Sequence, residues 1–181
     1  MRSIRSMLLL GLALTLGCAH AGAPRSDGGL SDEEIAAVMR AAHTGEVQLS
    51  EIGLDRARSE TARAFAGALL SQHTAAMERD RALLERLAIR PRENSLSRQL
   101  ADESQRAAST LRAVPDAEVD GAFLLAQTRL HRQVQKIIEE ELLPRAQDPA
   151  LRGELENMRG QVAWLWSPSS ATIGTRRYAR K

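Results

Sequence analysis

From residue 31 onward the apolar positions recur every three or four residues, and nowhere do they alternate as in a half-buried strand. Ser31 followed by Glu34 is a capping-box signature that opens a first helix. Its stripe of Ile35, Val38/Met39, Ala42, Leu49 and Ile52/Gly53 runs to about Ala57. Ser59 caps a second helix carrying Ala62, Phe65/Ala66, Leu69, Ala76/Met77, Leu83/Leu84 and Leu87, which ends before Arg90-Pro91 because proline disfavours helix at the residue before it. A shorter piece over Leu96–Ala113 shows Leu100, Ala107/Ala108 and Leu111. After Pro115-Asp116 a fourth helix carries Phe123/Leu124, Leu130, Val134, Ile137/Ile138 and Leu142, ending near Pro144. Asp148 then caps a last helix with Pro149 at its first position and Leu151, Leu155, Met158, Val162 and Leu165 on its stripe. The pattern predicts an all-α domain over residues 31–166: an antiparallel four-helix bundle with one extra, shorter helix, joined by short loops. Gly45 and Gly53 weaken the first helix by about 1 kcal/mol each relative to alanine, so close helix approach is their expected use.

The flanks have a different character. Arg2 and Arg5 precede an apolar run, Met7–Leu16, that is too short to cross a bilayer as a stable helix. Leu14-Thr15-Leu16-Gly17-Cys18 follows. Residues 1–17 resemble a bacterial lipoprotein signal, which implies lipidation of Cys18 and anchorage of the chain to a membrane. Ala19 in place of aspartate implies, by the same resemblance, an outer-membrane anchor facing the periplasm. The alternative is an ordinary secretory signal cut after Ala19-His20-Ala21, giving a soluble periplasmic or secreted protein. Cys18 is the single cysteine, so no internal disulfide can form. Residues 18–30 are small, polar and without periodicity, a flexible tether in which His20 is solvated. Residues 167–181 read as a disordered basic tail. Trp164 and Trp166, two apart, cannot share one helix face.

The formal charge of +2 belongs to these flanks. Arg2 and Arg5 lie in the signal with no acid beside them, and Arg176, Arg177, Arg180 and Lys181 lie in the tail. What is left between them is net acidic, which argues against nucleic acid as a partner. The four tail cations suit anionic lipid headgroups or an envelope protein. The Glu139-Glu140-Glu141 run reads as a solvated face. No Gly-rich phosphate loop, C-x-x-C-H haem site, or serine or cysteine nucleophile constellation is present.

Four polar residues interrupt the apolar stripes, one per long helix. Glu46 lies four after Ala42, His73 four after Leu69, His131 three before Val134, and Gln161 three after Met158. Imidazole and carboxylate in a bundle core are ligands for a single Zn, Cu or Fe ion, so Glu46, His73 and His131 form a candidate metal site. The leading expectation is the bland one: the same residues with Gln161 form a satisfied internal network that fixes register and holds no cofactor, a single ion being the alternative. The di-iron pattern Glu-x-x-His is absent, since Leu70 and Thr128 stand three before the histidines. His43, beside the stripe, is expected at the surface.

Several short blocks occur in a characteristic order: Gly45-Glu46-Val47-Gln48-Leu49, Ala64-Phe65-Ala66, Gln72-His73, Val119-Asp120-Gly121-Ala122-Phe123 and His131. Together they resemble the bacterial family catalogued as domain of unknown function 4142, over about residues 31–166. The resemblance implies a ferritin-like bundle in the outer membrane or periplasm and matching positions at Glu46, His73, Asp120 and His131, and it brings no agreed enzymatic activity to carry over. Gln161 stands where a further histidine is common, and Phe123 where tyrosine is frequent. The functional expectation is an envelope-anchored lipoprotein with a non-enzymatic binding or structural role, the alternative being a periplasmic metal-binding or redox protein.

Overall fold

A computed structural model describes residues 29–165, which form five α-helices and, among the described residues, no strand. The signal 1–17, Cys18 with most of the 18–30 tether, Trp166, and the tail with Arg176, Arg177, Arg180 and Lys181 lie outside the described residues. No helix among the described residues is long and apolar enough to cross a membrane.

The helices are α1 (Asp32–Arg56), α2 (Glu60–Arg86), α3 (Ser95–Ala113), α4 (Val119–Ile137) and α5 (Pro149–Leu165). Their starts follow from local chemistry. Ser31 Oγ accepts the Glu34 amide while Glu34 accepts the Ser31 amide, the capping box the sequence predicts. Ser59 caps α2, and Asp148 Oδ1 accepts the amides of Ala150 and Leu151 at 2.7 and 3.1 Å at the start of α5. Asn94 caps α3 through the Ser97 amide at 2.9 Å. Carboxylates also tie helix ends to one another: Asp32 accepts the amides of Gln147 and Asp148, and Asp120 those of Arg58 and Ser59.

α1 is the centre of the molecule and packs against α2, α3 and α4. Three rungs, each a turn or so apart, set its register with α4: Gly53 faces Phe123, Ser50 Oγ accepts from Gln127 Nε2 at 3.4 Å, and Glu46 faces His131. The descending numbers on one helix meet ascending numbers on the other, so the pair is antiparallel. The α1–α3 contacts ascend together, from Asn94 Nδ2 on the Glu34 carbonyl through Gln48 on Gln105 to Arg56 on the carbonyls of Leu111, Arg112 and Val114, so those two run parallel. Arg56 thereby satisfies carbonyls that the end of α3 leaves without helical partners.

Two features depart from the sequence pattern. The third helix is shorter than α1 and α2, as expected, but at 19 residues it equals α4, and it packs against α1. The fourth helix does not stay α-helical to Pro144 but ends in a π-turn, Ile138–Leu142, in which the Leu143 amide bonds the Ile138 carbonyl at 2.9 Å. The wider turn buries both Ile138 and Leu142, and Arg145 donates to the carbonyls of Glu140 and Glu141 at 2.9 Å each. Glu139 and Glu140 are exposed there.

The two helix-1 glycines are used as close contacts. A Cβ on Gly53 would stand 2.6 Å from Phe123 Cε2, and one on Gly45 would strike Ser104. Around Gly153 of α5 nothing lies within 4 Å. The same substitution therefore has opposite signs. Gly53→Ala overpacks a fully buried ring and is expected to lower the denaturation midpoint by about 1–3 kcal/mol of stability. Gly153→Ala gains helix propensity and raises it by up to about 1 kcal/mol. Urea unfolding of the two variants beside the parent reads both.

Candidate metal centre

The polar residues on the stripes converge in one place. Glu46 of α1, His73 of α2 and His131 of α4 are all buried, and each offers a ligand atom within 4.8 Å of the others. Glu46 Oε1 stands 3.3 Å from His131 Nδ1, and Glu46 Oε2 stands 3.9 Å from His73 Nε2. The rings of His73 and His131 meet edge to face with centroids 5.8 Å apart. His131 Nδ1 lies 2.9 Å from the Gln127 carbonyl, which can only accept, so the proton of a neutral ring sits on Nδ1.

Glu46 is the anomaly. It is 2% exposed, and neither of its oxygens completes a hydrogen bond with any described residue. Burial therefore pushes its carboxyl well above the usual range; Gln127 nearby works against that shift but donates to Ser50. The histidines move the other way. Burial, and then the neighbouring His43 and His131, push His73 down to about 3, and burial lowers His131 against the pull of the Gln127 carbonyl. At neutral pH both rings are neutral and carry a ring-nitrogen lone pair, the form that binds metal. The cavity they border measures about 10 Å3, also lined by Met158 and Gln161. That is room for about one water or one ion.

The sequence profile of the family described as a domain of unknown function (DUF4142) matches residues 18–163. The chain belongs to this family. No curated protein and no solved structure matches it. Of the four positions that the sequence resemblance implies, Glu46, His73, Asp120 and His131, three meet at the buried cluster. Asp120 does not: it is a half-buried residue at the start of α4 whose carboxylate holds the α1–α2 loop. The Asp120 carboxyl is held below its ordinary value by those hydrogen bonds, the one to Ser59 first.

In this DUF4142 chain Gln161 borders the cavity but is only half-buried, and its amide oxygen accepts from Gln72 Nε2 at 3.4 Å. It does not close a hydrogen-bonded circuit with Glu46. His43 corrects the expectation of a surface residue. It is 3% exposed, its Nδ1 lies 3.0 Å from His73 Nδ1, and its Nε2 lies 3.3 Å from Asp80 Oδ2. Asp80 is the residue sequence reasoning passed over. Its signal was spacing: seven residues after His73, it returns to the same face of α2.

Proposed function

We propose that the chain is an envelope-tethered, non-enzymatic bundle protein that holds one transition-metal ion at Glu46, His73 and His131. One observation carries this reading: a buried carboxyl with two oxygens lacking hydrogen bonds faces two neutral imidazoles across a cavity of about 10 Å3. Buried polar atoms in native proteins are satisfied, and a cation satisfies all three donors at once. One carboxylate and two imidazoles suit Zn, Cu or Fe. The small cavity favours storage, delivery or electron transfer over turnover of an organic substrate. The frame we assign is a ferritin-like bundle of α1, α2, α4 and α5 with α3 laid beside it. We place it on the periplasmic face of the outer membrane through a lipid on Cys18, with Arg176, Arg177, Arg180 and Lys181 near anionic headgroups.

The test is metal content. The full chain is expressed in a bacterial envelope without a polyhistidine tag and assayed by elemental analysis beside His73→Ala/His131→Ala. About one metal per chain is expected in the parent, and none in a variant that keeps its helical circular dichroism. No metal in the parent, even after exposure to zinc, copper and iron salts, overturns the reading.

A further inference from the structure

We infer that Asp80 and His43 form an outer arm that fixes the His73 imidazole in the tautomer able to ligate metal through Nε2. The inference deepens the metal site proposed above and rests on it.

The geometry runs inward from the edge of the bundle. The Asp80 side chain is 9% exposed, and its Oδ2 lies 3.3 Å from His43 Nε2. Its oxygens complete no hydrogen bond among the described residues, and His43 Nε2 at 3.3 Å is the ring nitrogen that faces them, so a proton on that nitrogen is the one Asp80 favours. Next, His43 Nδ1 and His73 Nδ1 stand 3.0 Å apart. A hydrogen bond between two ring nitrogens holds one proton, so one ring donates and the other accepts. A His43 ring whose single proton sits on Nε2, beside Asp80, presents a lone pair at Nδ1. His73 must then donate from Nδ1, and its lone pair falls on Nε2, facing Glu46 and the cavity.

The reverse arrangement fails on distance. It would put a proton on His73 Nε2, which lies 3.9 Å from Glu46 Oε2, too far for a hydrogen bond. A buried donor would be left without an acceptor, and the nitrogen would be closed to a cation. Carboxylate–imidazole partners behind a ligating histidine set its orientation and tautomer in this way. Here the arm has two links, Asp80 and His43, before the ligand. Both are positioning residues, since neither belongs to the ligand cluster of Glu46, His73 and His131.

The test reads the tautomers directly. Long-range proton–nitrogen correlation spectra of the metal-free, 15N-labelled full chain report which ring nitrogen of each histidine is protonated. The expected result is a proton on Nε2 of His43 and on Nδ1 of His73. Asp80→Leu frees His43 to reverse the bond, so both assignments should switch and Co2+ affinity should fall about 10- to 100-fold. Asp80→Asn keeps an oxygen acceptor and should fall between. A parent with His73 protonated at Nε2 overturns the arm, whether or not Asp80→Leu folds. So does an Asp80→Leu protein with unchanged tautomers and unchanged Co2+ affinity. The expected tautomers in a parent that binds no Co2+ instead overturn the metal reading, and Co2+ binding with reversed tautomers overturns the arm alone.

Discussion

Glu46→Gln is expected to stabilise the metal-free protein and to abolish its stabilisation by metal. The carboxyl is buried, completes no hydrogen bond and titrates well above its ordinary 4.5. The sign follows from proton binding. Where the folded value exceeds the unfolded one, the native chain keeps its proton while the unfolded chain has released it. Each step in pH above 4.5, up to the folded value, therefore costs stability. Glutamine has nearly the same shape and no charge to bury. Its advantage should be absent at pH 4, grow above it, and reach about 1–2 kcal/mol at neutral pH, the scale on which relieving a strained functional site stabilises a protein. With metal present the order inverts. A ligand at a thousand times its dissociation constant adds about 4 kcal/mol, and glutamine forfeits that. Urea unfolding at pH 4 and pH 8, with and without zinc, reads all four conditions. A purely architectural Glu46 predicts destabilisation in every one.

Phe123→Ala is expected to cost about 3–5 kcal/mol, a large share of the total stability of a domain this size. The ring is fully buried, meets Phe65 edge to face at 6.1 Å, and fills the notch that Gly53 leaves in α1. Phe123, Gln127 and His131 lie a turn apart on one face of α4, opposite Gly53, Ser50 and Glu46. The aromatic rung thus holds the register that brings His131 to Glu46. Two further results should follow. The penalty of Gly53→Ala should shrink in the Phe123→Ala background, because the clash has lost its partner. The variant should also bind metal more weakly than its lost stability explains. Additive effects of the two substitutions would show that notch and ring are independent.

Much of this was legible in the residues. Ser31, Ser59 and Asp148 mark helix starts because capping is local chemistry, and Glu46, His73 and His131 show themselves because each takes a place on an apolar stripe. The reading of His43 failed for a physical reason. A stripe assumes one buried face, but α1 is enclosed by α2, α3 and α4, so Ala36 through Met39, Ala42 and His43, and Gly45 and Glu46 are all buried. The small residues all round that helix were the available sign. Asp80 carries no cap or motif; it shares the His73 face of α2, but only the fold gives it His43 as a partner. The π-turn at Ile138–Leu142 was hidden because apolar spacing in one helix turn does not separate a five-residue hydrogen-bond step from a four-residue one.

The most direct measurement is X-ray absorption at the metal edge of the loaded full chain. Nitrogen and oxygen donors at about 2.0–2.2 Å, with the outer-shell scattering of two imidazoles, are predicted, and the imidazole signal should be lost in His73→Ala/His131→Ala. A shell of oxygens alone, or a sulfur shell from Met158 in place of the imidazoles, would contradict the account.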